Sequence, residues 1–168
     1  MRFWPRRLAL SFLMLSVITA LTALMPARAE NESRTGYSGY PVPRFVALKK
    51  DEVYGRAGPG LDVVVIYKKR GLPVKVIAET SDNVWRRVED HMGRRVWINR
   101  SMLAENRHAV AMQPSILFAG PTQAALPRAR IEPGVMAALE ECEGGWCRIK
   151  TKDYRGWTEA STLWGAGL

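Results

Sequence analysis

Histidine and cysteine are scarce, with two of each in 168 residues, and their scarcity removes much enzyme chemistry from consideration. Two sulfurs with only His91 and His108 elsewhere in the chain do not make a tetrahedral metal set, and nothing in the sequence requires a cofactor. Gly-x-Ser-x-Gly, His-Glu-x-x-His and a glycine-rich phosphate loop between strand and helix are all missing. Carboxylates are scattered along loops instead of paired, so no general acid/base couple presents itself. A sustained helical period is also lacking after residue 30, apart from a short turn at residues 100–103, which excludes helix-built folds. The expectation is a non-catalytic, all-β protein.

Acidic residues are absent from the first 29 positions. Arg2, Arg6 and Arg7 precede an uncharged run from Leu8 to Met25, and Ala27-Arg28-Ala29 follows it. A basic end, an apolar segment and an A-x-A site are what the export machinery and its peptidase recognise, so residues 1–29 read as a signal peptide. The competing reading is an uncleaved anchor, because a run of this length is just able to span a hydrocarbon core. Export makes membrane headgroups and wall polymers the accessible polyanions, and not nucleic acid.

Of 25 basic residues, Arg2, Arg6, Arg7 and Arg28 belong to the leader, which leaves 21 against 16 acidic ones in the remainder. Between Arg44 and Arg107 there are 14 basic and 8 acidic residues, whereas His108 to Leu168 holds 6 of each. The first half therefore carries the charge, in the clusters Lys49-Lys50, Lys68-Lys69-Arg70, Arg86-Arg87 and Arg94-Arg95.

What the chain does contain is a repeat. Trp85, Trp97 and Leu103 return as Trp146, Trp157 and Leu163, and Ala57-Gly58-Pro59 returns as Ala119-Gly120-Pro121, at offsets of 60 to 62 residues. Near-constant offsets of this kind are the mark of tandem copies of one small unit. Residues 30–43, rich in Ser, Gly and Pro with no apolar period, read as a linker with nothing to pack. The copies then occupy residues 44–105 and 108–168, joined near Glu105 to His108.

Within the first copy, short apolar stretches alternate with turns. Phe45-Val46-Ala47-Leu48 and Val53-Tyr54 flank a polar corner, and Ala57-Gly58-Pro59-Gly60 makes a turn. Val63-Val64-Val65-Ile66-Tyr67 is apolar throughout and reads as a buried strand, while residues 73–78 alternate as a strand with one wet face. Residues 85–89 and 94–98 make a hairpin across His91-Met92-Gly93. Many short strands with glycine-bearing turns predict a small barrel or sandwich.

In the second copy, Cys142 and Cys147 bracket Glu143-Gly144-Gly145-Trp146 and so face each other at the base of a predicted hairpin. With only two thiols in an oxidising compartment, a disulfide is expected. Ser81 and Arg86 occupy the equivalent places in copy one.

Val53-Tyr54-Gly55-Arg56-Ala57-Gly58-Pro59-Gly60, Gly71-Leu72-Pro73-Val74, Val84-Trp85-Arg86-Arg87-Val88 and Val96-Trp97-Ile98 together resemble the bacterial SH3-like (SH3b) domains. The opening Pro41-Val42-Pro43-Arg44-Phe45-Val46 and the Trp-Cys-Arg of copy two are similar to an exported tandem subgroup. The resemblance implies two tandem SH3-like barrels and a binding role, often toward stem or cross-bridge peptides of peptidoglycan. Copy two departs from the pattern in carrying Phe118 in the place of Arg56.

Candidate ligand-binding residues are Tyr54, Arg56, Tyr67, Trp85 and Trp97, aromatic platforms joined to a cation, of which Trp97 and its counterpart Trp157 are also suited to filling a core. Three roles stay open: recognition of peptidoglycan or an extended peptide, docking as an adaptor on a partner protein, and electrostatic attachment to anionic envelope polymers. The leader supplies a first test. Mass spectrometry of the exported protein should show a chain starting at Glu30, and an intact Met1 or Arg2 start would rule cleavage out.

Overall fold

The computed structural model describes residues 34–167. The leader and its cleavage site lie outside the described residues. The strands, in chain order, begin with β1 (Arg34–Thr35) and β2 (Pro41–Val42), which pair antiparallel. The first unit follows with β3 (Arg44–Leu48), β4 (Val53–Arg56), β5 (Val63–Tyr67), β6 (Pro73–Glu79), β7 (Trp85–Glu89), β8 (Arg95–Asn99) and β9 (Leu103–Glu105). The second has β10 (His108–Ala111), β11 (Ser115–Phe118), β12 (Pro127–Ile131), β13 (Met136–Glu143), β14 (Trp146–Lys150), β15 (Arg155–Glu159) and β16 (Leu163–Trp164).

Each unit is one antiparallel sheet of seven strands in matching order, β5-β4-β8-β7-β6-β3-β9 and β12-β11-β15-β14-β13-β10-β16. Tyr67 from one end strand and Leu103 from the other pack on the same core as Val53, Val74, Val76, Val88 and Ile98, so the sheet curls on itself into a barrel. A single 3₁₀ turn precedes the last strand of each barrel, at Arg100–Met102 and Ala160–Thr162. The architecture is all-β, in two tandem copies as the repeat predicts and in the barrel form that the SH3-like resemblance implies.

Two expectations are corrected. The segment before β3 is not an unpacked linker, because Val42 is buried in the first core and Gly36 N–H donates to Tyr40 O across a tight β1–β2 hairpin. Its other anchor is Glu79, 41 residues from Ser38, a pairing no local pattern displays. Nor is β5 buried: Val63, Val64 and Ile66 face solvent and only Tyr67 is wholly inside. A uniformly apolar run suits a central strand, but β5 ends its sheet: the pleat turns Val64 and Ile66 outward, and the register shift between Gly55 and Arg56 leaves Val63 exposed beside Val64.

The two barrels lean on each other through the end of the chain. Trp164 Nε1 donates to Pro73 O at 3.1 Å, and its ring meets Phe45 edge-on with centroids 5.2 Å apart. Val110 sits in the first core, and Met136 and Trp164 pack against it. Gly165 follows at φ +100°, with His108 O 2.7 Å and Pro73 Cβ 2.9 Å from where a Cβ would stand, so glycine alone fits this approach. The second barrel's own core holds Ala109, Ala111 and Ala137 beside Leu117, Ile149 and Leu163, which is less apolar volume than the first.

Cys142 and Cys147 are directly opposed on β13 and β14, with Cα atoms 4.0 Å apart, and form the disulfide expected of them. Closing so short a loop removes little unfolded-chain entropy. Replacing both by serine should cost at most about 2 kcal/mol in urea denaturation, and a larger loss, or two alkylatable thiols in the native protein, would contradict this account.

Candidate functional site

The pleat divides the five sequence-predicted site residues. On β7, Arg86 and Val88 point inward, leaving Trp85, Arg87 and Glu89 outside; on β8, Val96 and Ile98 are buried and Arg95, Trp97 and Asn99 face out. On β4, Val53 and Gly55 are inside while Tyr54 and Arg56 are outside. Register then sets Arg56 opposite Trp97 and Trp97 opposite Arg87, with Trp85 opposite Asn99 in the neighbouring rank. Arg56, Trp97 and Arg87 thus make one transverse row over three strands, bordered by Trp85.

This arrangement offers indole faces for apolar contact and guanidinium donors for carbonyls or carboxylates. Arg56 Nη1 donates to Leu61 O at 2.7 Å, which steadies the guanidinium against the β4–β5 hairpin. Arg87 is exposed and makes no ion pair among the described residues. Tyr54 donates to Glu52 Oε1 at 2.7 Å. That hydrogen bond, and then the Glu52 charge, hold its phenol above the ordinary value.

Tyr67 does not belong to the face. It is buried, and its hydroxyl donates to Asp90 Oδ2 at 3.0 Å while the Arg94 guanidinium lies 5.6 Å from its ring centre. Burial first, and then the Asp90 charge, push its phenol pKa strongly upward. Asp90 is fully buried and also accepts from Met92 N–H, Arg94 N–H and Arg94 Nε. Tyr67 therefore props the β7–β8 turn from inside and presents nothing to a ligand.

A groove of about 1240 Å³ is lined by Tyr40, Arg44, Asn83, Arg86 and Arg100 of the first barrel, with Leu139 and Gly165 of the second also among its walls. It touches the Trp85 region through Arg86 Nη1, which donates to Trp85 O, and Arg100 N–H, which donates to Val84 O. Two of the wall residues are held by the Glu79 side chain, 1% exposed, which accepts from Arg44 at 2.7 Å and Arg86 at 3.1 Å. Ser38 adds its N–H and hydroxyl, both at 2.8 Å. Burial alone would raise the Glu79 pKa, but the hydrogen bonds from Ser38 and Arg44 outweigh it and hold the carboxyl below its usual range. Arg44, Arg86 and Arg100 against Glu105 leave the groove lining positive, by three guanidiniums to one carboxylate, and the buried Glu79 takes up part of that excess.

Sequence reasoning missed Arg44, Arg86 and Arg100. The signal for Arg86 lay in parity: of two adjacent arginines in one strand, one must point inward, and that one needs a buried carboxylate.

The second barrel repeats the row as Phe118, Trp157 and Arg148, by the same register. There the groups are already engaged with one another. Phe118 and Trp146 meet edge-on at 5.9 Å, Arg148 lies 5.7 Å from the Trp157 ring centre, and Glu140 and Glu141 pair with Arg148 at 3.0 and 3.1 Å. Its cleft, about 380 Å³, runs between Pro114 and Glu159. Among the described residues no cluster of His, Cys, Asp and Glu has the makings of a metal site.

Comparison with known proteins places the fold. The family model described as bacterial SH3 domain matches residues 49–105 and again residues 112–165. No curated protein matches the chain. Among solved structures, NlpC2 from Trichomonas vaginalis is 13% identical, covering 74% of this chain and 49% of its own, with a TM-score of 0.34. NlpC1 from the same organism is also 13% identical, covering 78% of this chain and 48% of its own, with a TM-score of 0.34. The chain spans about half the length of each.

The buried carboxylates make stability depend on acid. For Asp90, burial opposes ionisation, but the Arg94 and Met92 donors prevail and its pKa falls below the ordinary value, as for Glu79. A carboxyl depressed in the folded state contributes its full stabilisation above the unfolded value, near 4, and loses it as pH falls through the lower folded value. The urea midpoint should therefore decline from about pH 5 downward. Asp90→Asn should be less stable at pH 7 and show a flatter acid limb; an unchanged limb would remove Asp90 from the linkage.

Proposed function

This chain belongs to the bacterial SH3 domain family, and from that premise we propose that it is a non-catalytic binding protein of the cell envelope. It reads a peptidoglycan stem peptide, or another extended peptide, on the outer face of the first barrel. The observation that carries this reading is the transverse row of Arg56, Trp97 and Arg87 beside Trp85, whose cations are left uncompensated in one barrel and whose counterpart in the other is internally paired. An extended peptide laid across the row sets its apolar side chains on the indoles and its carbonyls or carboxylates on the guanidiniums. The signal-like leader supports delivery to the envelope.

A second reading, attachment to anionic envelope polymers through charge alone, is favoured by the excess of basic residues between Arg44 and Arg107. An adaptor role toward a partner protein would use the same barrels without the wall.

Co-sedimentation with purified sacculi at low and high salt separates these roles. Retention at high salt supports recognition by the transverse row, loss with salt supports charge attachment, and no binding at either supports the adaptor. Arg56→Ala and Trp85→Ala should each weaken binding by roughly 5- to 150-fold with the fold intact. Phe118→Ala and Trp146→Ala should leave it within about twofold. Equal binding by the second barrel alone would overturn the assignment to the first.

A further inference from the structure

The hairpins β4–β5 and β11–β12 are twins whose outer edges differ in chemistry. Val53 opposite Tyr67, Tyr54 opposite Ile66, Gly55 opposite Val65 and Arg56 opposite Val63 correspond to Ser115–Ile131, Ile116–Arg130, Leu117–Ala129 and Phe118–Pro127, with the same register shift before the last pair. Strands β5 and β12 also share one burial pattern, and each ends its sheet. An end strand presents unpaired backbone groups, and proteins guard such edges with proline or charged side chains. Strand β12 is guarded in this way by Pro127, Arg128 and Arg130. In their places β5 carries Val63, Val64 and Ile66, which are 40%, 57% and 51% exposed, and Leu61 and Tyr54 beside them are 58% and 46% exposed. The shared register shift does not explain the difference.

The ends of β5 indicate the occupant. Asp62 precedes it and Lys68, Lys69 and Arg70 follow it, all exposed. Laid antiparallel on its own copy about Val65, the strand puts Val64 opposite Ile66 and Asp62 opposite Lys68, each pair twice by symmetry. Sliding by two residues in one direction sets Ile66 against Asp62, and in the other sets Val64 against Lys68. Of these registers, only the one about Val65 gives both Val64 and Ile66 an apolar partner while Asp62 meets a base, and an interface that satisfies itself under a two-fold axis is the requirement for a closed dimer. From this we infer that β5 pairs with β5 of a second copy of this chain. Because Arg56 lies across from Val63, the joined strands bring two outer faces into one continuous sheet. A repetitive polymer is then held at two points, which raises avidity without new contacts.

The inference is tested by sedimentation equilibrium of the exported chain from about 5 to 500 μM, since a strand-edge interface is small and its association correspondingly weak. The mass should rise from that of one chain to that of two. Val64→Arg with Ile66→Arg, which copies the guard that the twin hairpin already tolerates, should weaken dimerisation at least about tenfold. Asp62→Lys should weaken it by a similar factor, and adding Lys68→Asp should restore it. A monomeric mass throughout, a dimer indifferent to the arginine pair, or failure of the charge exchange to restore association would each overturn the proposal. So would a monomer that binds anionic phospholipid vesicles and loses them with the arginine pair, since the strand would then be a membrane contact. None of these outcomes depends on whether the outer face binds peptide.

Discussion

The two-residue period of the extended chain is the constraint from which the rest of this protein follows. Seven short strands per barrel leave few residues to make a core, so every second side chain must be committed inward if the sheet is to close. Val53, Val74, Val76, Val88, Val96 and Ile98 are that commitment in the first barrel. Their neighbours are forced outside whatever their polarity. Trp85, Trp97 and Arg56 share an outer face because Val88, Ile98 and Val53 share an inner one. The same rule sends Arg86 inward beside a buried Glu79, and Tyr67 inward onto Asp90.

Equivalent in topology, the barrels divide the work unequally. The second has an alanine-rich core and a disulfide across β13 and β14, and it contributes Val110, Met136 and Trp164 to the core of the first. Alanine removes less apolar surface from water than valine or leucine, so a covalent staple and a neighbour to lean on offset a thinner interior. In its outer row an indole packs on a phenyl ring and glutamates neutralise the arginine. The first barrel closes on a fuller core and leaves Arg87 uncompensated on its surface. A face with unsatisfied cations and half-exposed indoles suits contact with something else, and a face that satisfies itself suits support.

Buried ion pairs shape the first barrel further. Glu79 gathers Ser38, Arg44 and Arg86, and in doing so ties the β1–β2 hairpin to β6 and β7. Removing a carboxylate from water is costly and is compensated only when donors surround it, so this cluster positions its members more sharply than apolar contact alone could. Its Ser38, Arg44 and Arg86 also form part of the groove wall.

The strand-and-turn grammar and the disulfide pairing were legible in the chain because each is encoded within about ten residues, as an alternation, a glycine turn or two thiols five positions apart, and the tandem repeat because its offset of 60 to 62 residues is nearly constant. Membership of the outer face was legible in part, through Tyr54, Arg56, Trp85 and Trp97. Sequence alone could not tell that Tyr67 points inward, that Val42 and Ser38 anchor a segment poor in apolar residues, or that the most apolar strand stands at an edge. Those outcomes depend on where a strand falls in the order of its sheet and on partners such as Glu79 for Ser38 or Pro73 for Trp164. Local pattern states that a strand has two faces; only the pairing of distant segments decides which neighbours each face and each edge will meet.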